Sequence, residues 1–249
     1  MSASYSIVHY ERIHRIEQTH FWFLARNILL QKLIRRFIPN SSNVSFLEIG
    51  FGTGVVIHLL ERMGFRVTGI DVNKRALLYA RRNTKATLLQ QSIFSFCPKE
   101  RFAAIGAFDV MEHQKRDLLF LKRVHKLLTP NGLLFLTIPA HRWLWSKLDI
   151  LSDHKRRYSF GELKQKLEGS GFTVLFWNHW QVITLPIFWL WRQILLRKKK
   201  KMIESYLAQP QALVNRLLYL LLLFEQLPFF RVKFPVGGSL VVCAKRLAI

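Results

Sequence analysis

The sequence predicts an α/β protein whose core is a doubly wound, mostly parallel sheet of seven strands, and three observations support this fold class. An apolar run typical of a buried strand, residues 44–49, leads into three alternate glycines and then into a helical apolar pattern. A second short strand, residues 65–70, follows and is succeeded by Asp71. Strand and helix patterns then alternate along the chain, as expected for a parallel sheet covered by helices.

The remaining elements are predicted from apolar runs separated by Gly, Pro and Asn, which favour turns. After Asp71 they are, in order, a helix through Leu77 that ends near Asn83, strands at 86–90 and 103–108, a helix at 118–128, a turn at 129–132, a strand at 133–138, a helix at 160–168, and strands at 172–177 and 239–245. The last strand is expected to run antiparallel beside the strand at 172–177 and to complete the sheet.

Gly50, Gly52 and Gly54 form the predicted turn between the first strand and its helix. Without a Cβ atom they permit a tight turn and let a ligand lie against the backbone N–H groups at the start of the helix. Asp71, at the carboxyl end of the neighbouring strand, is placed where a carboxylate can accept both hydroxyls of a ribose. The unit therefore predicts a nucleoside-containing ligand.

The details of this turn separate kinds of nucleotide site. A dinucleotide fold needs glycine at the sixth position of its motif, where this chain has Val55, and the Gly-Lys-Ser/Thr ending of a P-loop is absent. Glu48 lies two residues before the first glycine, where it would repel a pyrophosphate. A cationic ligand, such as a sulfonium with an α-amino group, fits this acid better.

Composition sets limits on the partners and the compartment. The chain has 249 residues, a formal net charge of +23 and a pI near 10.7, which favours polyanionic partners such as nucleic acid, an anionic membrane face or phosphorylated substrates. Cys97 and Cys243 are far apart and lack metal-ligand spacing, so we expect no disulfide framework, no metal site and a reducing cytoplasm. The first residues carry no basic-then-apolar signal, so no secretion is expected.

The chain is predicted to divide into four segments: an N-terminal helical cap at 1–40, the core at 41–180, an apolar and polybasic helical insertion at 181–235, and the last strand at 236–249. In the cap, apolar spacing predicts one helix over 9–38, with aromatic residues around His20 and Trp22 and with Arg26 nearby. These aromatics either pack the helix on the core or form a lid over the ligand, in which Arg26 meets a carboxylate.

The insertion combines two apolar runs, at 182–196 and 213–230, with the sequence Arg-Lys-Lys-Lys-Lys at 197–201 between them. Neither run reaches the roughly 20 uninterrupted apolar residues of a transmembrane helix. Two amphipathic helices beside a polybasic cluster predict docking on the anionic inner face of the cytoplasmic membrane, as a peripheral protein. The alternative is that both runs pack on the sheet.

The pattern Glu-x-Gly-x-Gly-x-Gly at 48–54, with an acid after the next strand, resembles the cofactor site of class I S-adenosylmethionine-dependent methyltransferases, which have a Rossmann-like fold. His20-Phe-Trp-Phe with Arg26, Asp109-Val-Met-Glu-His113, and the stretch from Pro139 to Tyr158 resemble a bacterial subgroup related to the quinone-biosynthesis methyltransferases. The resemblance implies the cofactor S-adenosylmethionine, bound by Glu48, Gly50, Phe51, Gly52, Thr53, Gly54, Asp71, Val72, Ser92, Ile93, Phe108, Asp109 and Val110. It also implies O-methylation of a lipid, lipid-linked or glycan-type acceptor.

Candidate acceptor residues lie after the later strands. His113 is the leading candidate for a general base, because it follows the strand expected beside the sulfonium, and the alternative is a structural helix cap. His141 and His154 are the competing bases. The candidates for acceptor binding are His20, Trp22, Arg26, Trp145, Arg156, Arg157 and Tyr158. Of these, Arg156 and Arg157 either clamp a phosphate or form ion pairs with Asp149 or Asp153.

Two other functions compete with lipid methylation. A nucleic-acid methyltransferase would suit the positive charge, but the chain lacks an Asn/Asp-Pro-Pro-aromatic motif, and Cys97-Pro98 reverses the Pro-Cys order of cytosine enzymes. A non-catalytic membrane or assembly module would keep S-adenosylmethionine only as a structural ligand. The sequence makes no prediction about the oligomeric state.

Overall fold

The computed structural model describes residues 14–82, 84–196 and 210–247, without the side chains of 191–196. The strands are β1 (Ser45–Ile49), β2 (Arg66–Asp71), β3 (Thr87–Gln90), β4 (Phe102–Phe108), β5 (Leu128–Pro139), β6 (Phe172–Trp180) and β7 (Ser239–Arg246). The helices are α1 (Phe21–Phe37), α2 (Val55–Arg62), α3 (Lys74–Ala80), α4 (Asp117–Leu127), α5 (Lys147–Leu151), α6 (Phe160–Glu168), α7 (Leu185–Leu196) and α8 (Ala212–Glu225).

The strands form one sheet with the order β3-β2-β1-β4-β5-β7-β6. Strands β1 to β5 pair in parallel, and β7 runs antiparallel between β5 and β6. The order reverses at β1 and β4, so the carboxyl ends of these two strands border a crevice where ligands bind in open α/β sheets. The predicted fold class, with seven strands and an antiparallel last strand, is confirmed.

Both faces of the sheet are buried, as expected for parallel strands covered by helices. Because side chains alternate along a strand, Phe46 and Phe135 belong to one apolar core, while Leu47 and Leu134 belong to the other. Helices α1, α2 and α3 cover the first face, and α4 and α6 cover the second. Helix α1 is therefore a structural part of the first core.

Two element predictions were wrong in their bounds. The helix expected over 9–38 is interrupted. Residues 14–16 are helical, a turn follows, and α1 begins at Phe21, where the His20 imidazole accepts the Trp22 N–H group as an N-cap; residues 9–13 lie outside the described residues. The turn expected at 129–132 belongs to β5. Pairing passes from Leu128 opposite Phe102 to Leu133 opposite Ala104, so the extra residues form a bulge, with Asn131 at a φ of 62°.

The insertion predicted at 181–235 contains α7 and α8, and residues 197–209 lie outside the described part. Side chains of α8 and the following turn bind α1: the Asn215 side chain accepts the Phe21 N–H and donates to the Thr19 carbonyl, and Gln226 donates to the Ala25 carbonyl. Within the described ranges, no helix is both long enough and apolar enough to cross a membrane. The four-segment division stays a prediction.

Candidate cofactor and acceptor site

The three glycines after β1 have positive φ angles of 74° at Gly50, 56° at Gly52 and 91° at Gly54. A Cβ atom would lie 2.6 Å from Val110 Cγ2 at Gly50 and 2.7 Å from Ala80 Cβ at Gly54, whereas at Gly52 it would meet nothing within 4 Å. The outer two glycines are thus required for packing. Gly52 instead leaves open space beside bare backbone, where a ligand can approach closely.

Asp71 ends β2 and is joined to the glycine turn. Its carboxylate accepts the Gly52 N–H at 3.0 Å and the Asn73 N–H at 2.8 Å. Burial raises the pKa of Asp71, although these backbone hydrogen bonds oppose the shift. The side chain therefore links the turn to β2, and its ribose role stays a prediction.

Glu48 is 3 % exposed on β1, and its Oε2 atom has no hydrogen-bond partner among the described residues. Burial raises the pKa of Glu48 to about 8, with Arg26 opposing and Asp71 adding to the shift. A buried carboxyl oxygen without a partner needs a donor, and the ammonium group of S-adenosylmethionine supplies one. Together with the open backbone at Gly52 and the carboxylate of Asp71, these residues fit that cofactor.

Glu48→Gln is expected to make the cofactor-free protein more resistant to heat than the wild type at pH 8, with no difference near pH 4. The pKa of Glu48 is about 8 in the folded chain, against an ordinary value of 4.5. Between these values the unfolded chain has lost a proton that the folded chain retains, so wild-type stability falls as the pH rises. Melting temperatures at both pH values test this, and a constant difference would contradict it.

Asp109 follows β4 at a φ of 58°, a left-handed backbone conformation that is uncommon outside glycine and is concentrated at functional sites. Its carboxylate pairs with Arg26 Nη1 at 2.7 Å, and the guanidinium carbon of Arg26 lies 4.9 Å from the Trp22 ring centroid. Helix α1 thus reaches the carboxyl end of β4. The structure places Arg26 beside Asp109 and Glu48, on the predicted cofactor side, rather than among the acceptor residues.

The other predicted cofactor residues lie around the same crevice. Phe51, Phe108, Val110 and Ile93 are buried, Thr53 donates its hydroxyl to Glu17, and Val72 is exposed. The Ser92 hydroxyl accepts the Phe94 N–H at 3.3 Å, and the residue before it, Gln91, donates its N–H to the Asp71 carbonyl. These positions border the ends of β2, β3 and β4, as the sequence predicts, and their contact with a ligand remains a prediction.

His113 and His154 come together from two loops, with ring centroids 5.0 Å apart. His113 Nδ1 lies 3.2 Å from the Asp153 carbonyl, and His154 Nδ1 lies 3.0 Å from Asp149 Oδ1. If Nδ1 of His113 donates to this carbonyl, its Nε2 is an acceptor. Burial, with His154 adding, lowers the pKa of His113 to about 4, so this imidazole is neutral at pH 7.

Glu112 was not predicted as a site residue. It is fully buried, and neither carboxylate oxygen has a hydrogen-bond partner among the described residues. Burial, with Asp109 adding, raises the pKa of Glu112 well above its usual range. Its potential ligand atoms and those of His113 and His154 lie within 4.8 Å of one another. This donor set is chemically able to hold a divalent cation, whereas the sequence spacing predicted no metal site.

Three residues predicted to bind the acceptor are instead engaged inside the protein. Arg157 is buried, with Nε 2.7 Å from Asp149 Oδ1, and Arg156 Nη1 lies 2.9 Å from Asp117 Oδ2. The Tyr158 hydroxyl is buried and donates to Asp117 at 3.0 Å. Arg157 thus forms the predicted ion pair with Asp149, whereas Arg156 pairs with Asp117, an acid that was not among its predicted partners. For Arg157 and Tyr158 the acceptor role is corrected, because their polar groups hold the loop after β5 in place.

The other predicted acceptor residues have mixed surroundings. His20 caps α1, Trp22 lies under Arg26, and Trp145 is 38 % exposed. The His141 ring stacks on His179, with centroids 4.8 Å apart, and burial lowers the pKa of both histidines. Sequence reasoning missed His179 because it lies within β6, and it missed Glu17 because a helix was expected there. No local pattern marks either contact.

Comparisons with known proteins agree with this geometry. The model of a family described as "Methyltransferase domain" matches residues 22–175. The ubiquinone biosynthesis O-methyltransferase of Pelagibacter ubique (strain HTCC1062) is 26 % identical over 132 residues, which are 51 % of this chain and 55 % of that protein. The chain thus matches about half the length of this relative.

Solved structures resemble the chain in fold. The N-methyltransferase NodS from Bradyrhizobium japonicum WM9, in complex with S-adenosyl-L-homocysteine, has a TM-score of 0.56 at 15 % identity, over 93 % of this chain and 90 % of that one. Phosphoethanolamine N-methyltransferase 2 of Haemonchus contortus, in complex with S-adenosyl-L-methionine, has a TM-score of 0.66 at 14 % identity, over 99 % and 59 %. The chain belongs to the methyltransferase-domain family, with the fold of class I S-adenosylmethionine-dependent methyltransferases and relatives among the quinone-biosynthesis enzymes.

Proposed function

We propose that the protein transfers a methyl group from S-adenosylmethionine to a hydroxyl oxygen of a lipid-like acceptor, such as a quinol or another hydroxylated lipid or lipid-linked intermediate. The observation that carries this proposal is the position of neutral His113 just beyond β4, the strand that borders the crevice of Glu48, Gly52 and Asp71. Methyl transfer to a hydroxyl oxygen requires a base at that edge, which removes the hydroxyl proton. The methyl donor needs no activation by the protein, because its sulfur is already cationic.

The cofactor supplies a methyl group on a cationic sulfur, and its transfer to oxygen leaves a neutral thioether. The chain must align the acceptor and remove its proton. In this proposal His113 Nε2 takes the hydroxyl proton, and the Asp153 carbonyl fixes the ring through Nδ1. Asp149 orients the neighbouring His154, and Arg26, which pairs with Asp109, would together with Glu48 hold the amino-acid end of the cofactor.

Two observations support an apolar, lipid-like acceptor. The relative from Pelagibacter ubique is named a ubiquinone biosynthesis O-methyltransferase. In this chain the loop after β5 exposes Trp143 and Trp145, and α5 exposes Ile150, at 55 %, 38 % and 64 %. These apolar side chains belong to the segment that also carries Asp149 and its partner His154, so an apolar acceptor meets them near the proposed base.

Mass spectrometry of lipid extracts tests the function directly. The purified protein, incubated with isotopically labelled S-adenosylmethionine and total lipid extract, is expected to label a lipid species that carries a free hydroxyl. Labelling should disappear when that hydroxyl is blocked beforehand by acetylation, because no oxygen is then available as the nucleophile. Labelling confined to nucleic acid added in parallel, or binding of the cofactor without labelling of any extract, would contradict the proposal.

A further inference from the structure

Helix α8 presents one apolar face to solvent. Its other face is held against the protein by buried Leu222 and Glu225. The exposed face carries apolar residues separated alternately by four and three positions, which form one continuous stripe along the helix and the turn after it. These residues, called the α8 stripe below, are Leu213, Leu217, Leu220, Phe224 and Leu227, and their exposed fractions range from 50 % to 71 %. A contiguous apolar surface of this kind marks an interaction site.

Helix α7 extends the apolar surface towards the acceptor site. Ile187 and Leu190 on this helix are 54 % and 58 % exposed. The Phe188 ring is stacked with that of Phe21 at a centroid distance of 6.1 Å, which places α7 beside the start of α1. Helix α7 also contacts α5, the helix that carries Asp149. Helix α7 therefore lies close to the loop that holds His154.

Charge identifies the kind of partner that this surface fits. The sequence between α7 and α8 includes Arg-Lys-Lys-Lys-Lys at 197–201, which lies outside the described residues, and the whole chain has a formal net charge of +23. Arg216 is exposed on α8. Apolar side chains that enter an acyl layer, together with basic residues that meet phosphate headgroups, are the features of helices that lie in the plane of an anionic bilayer.

We propose that α7 and the α8 stripe form a docking surface for an anionic lipid bilayer, into which the exposed side chains insert without crossing it. The matched family region ends at residue 175, so this surface lies outside it. Docking through α7 brings the loop after β5 to the bilayer, and an apolar acceptor then enters the site from the lipid phase. Only this last step rests on the proposed function, because docking itself requires neither cofactor nor acceptor.

Vesicle flotation tests the docking surface. The full chain is expected to float with vesicles of phosphatidylcholine and phosphatidylglycerol at low salt, and to float less with phosphatidylcholine alone. The variant L213S/L217S/F224S should lose at least about tenfold in the bound fraction, because its stripe no longer inserts. The matched control L78S/L119S changes apolar residues that are 65 % and 45 % exposed on α3 and α4, and it should bind as the wild type does. Replacing Lys198 to Lys201 by serine should remove the preference for phosphatidylglycerol.

Other occupants of the surface give different results. If the stripe variant floats as well as the wild type, the proposal is overturned. The proposal is also overturned if the wild type does not float, and light scattering then separates two causes. If the wild type is a dimer and the stripe variant is a monomer, the surface is a contact between two copies of the chain. If the wild type is a monomer, another segment of the same chain covers the surface. Methylation of a short-chain, water-soluble quinol is measured in parallel. Turnover without flotation overturns docking alone. Flotation without turnover of the quinol and without labelling of any lipid extract overturns the proposed function alone.

Discussion

Asp71→Ala is expected to weaken S-adenosylmethionine binding by on the order of 100-fold or more, as measured by isothermal titration calorimetry. Hydrogen bonds that involve a charged partner contribute about 1.5–3 kcal/mol each, and the carboxylate is placed to accept two ribose hydroxyls. Its loss also releases the Gly52 N–H, which Asp71 Oδ2 accepts at 3.0 Å. The lost ribose hydrogen bonds and the released Gly52 N–H both weaken cofactor binding, because the cofactor is expected in the open space beside Gly52.

Two further variants separate a site effect from general unfolding. Glu61→Ala removes another partly buried carboxylate and should leave cofactor affinity unchanged. Glu61 lies in the last turn of α2, at the end away from the glycine turn, and its carboxylate accepts the Lys85 N–H. Asp71→Asn retains one acceptor oxygen, and an intermediate loss of affinity is expected. A folded Asp71→Ala protein with wild-type affinity would remove Asp71 from the cofactor site.

His113→Ala is expected to reduce the rate of methyl transfer to a hydroxyl acceptor by about 10²–10⁴-fold, while cofactor affinity changes little. The pKa of His113 is about 4 in the folded protein, so the ring is in its neutral, proton-accepting form across the physiological range. The wild-type rate should therefore show no loss attributable to protonation of this histidine between pH 8 and pH 5. Rates with a soluble quinol and calorimetry with S-adenosylmethionine measure the two effects separately.

Variants of three other histidines show which one acts as the base. His154→Ala and His141→Ala should cost less than His113→Ala, because in the proposal His154 only contacts the ring of the base and His141 is stacked on His179. His125→Ala, at the end of α4 against Phe172, is the control and should turn over normally. If His154→Ala abolishes transfer and His113→Ala does not, the base is the imidazole that Asp149 orients.

The sequence predicted the glycine turn well because that turn is local. Strand β1, the glycine turn, α2 and β2 occupy one continuous stretch, and the positive φ angles at Gly50 and Gly54 explain why glycine is required there. The doubly wound class of the sheet and its antiparallel last strand were also predicted, since alternating strand and helix patterns leave few topologies. The apolar runs at 182–196 and 213–230 likewise predicted helices. Which face of each helix is exposed could be seen only in the folded structure.

The acceptor side could not be predicted in the same way, because its contacts join residues far apart in the chain. Asp149 with Arg157, and Asp117 with Arg156 and Tyr158, turned two arginines predicted for an anionic acceptor into internal partners. Whether an arginine in a predicted loop is exposed to solvent or pairs with an acid depends on which other loop packs against it. A pattern in sequence contains no information about that burial.

The sequence by itself therefore determined the α/β fold, the glycine turn and the acid that follows β2, since each depends on short-range backbone geometry and on the alternation of apolar residues. Only the tertiary structure decided that Arg26 reaches Asp109, that Glu48 Oε2 lacks a partner among the described residues, and that Glu112 lies with two histidines. Those features arise from packing between distant segments, which fixes both the distance between charged groups and their removal from water.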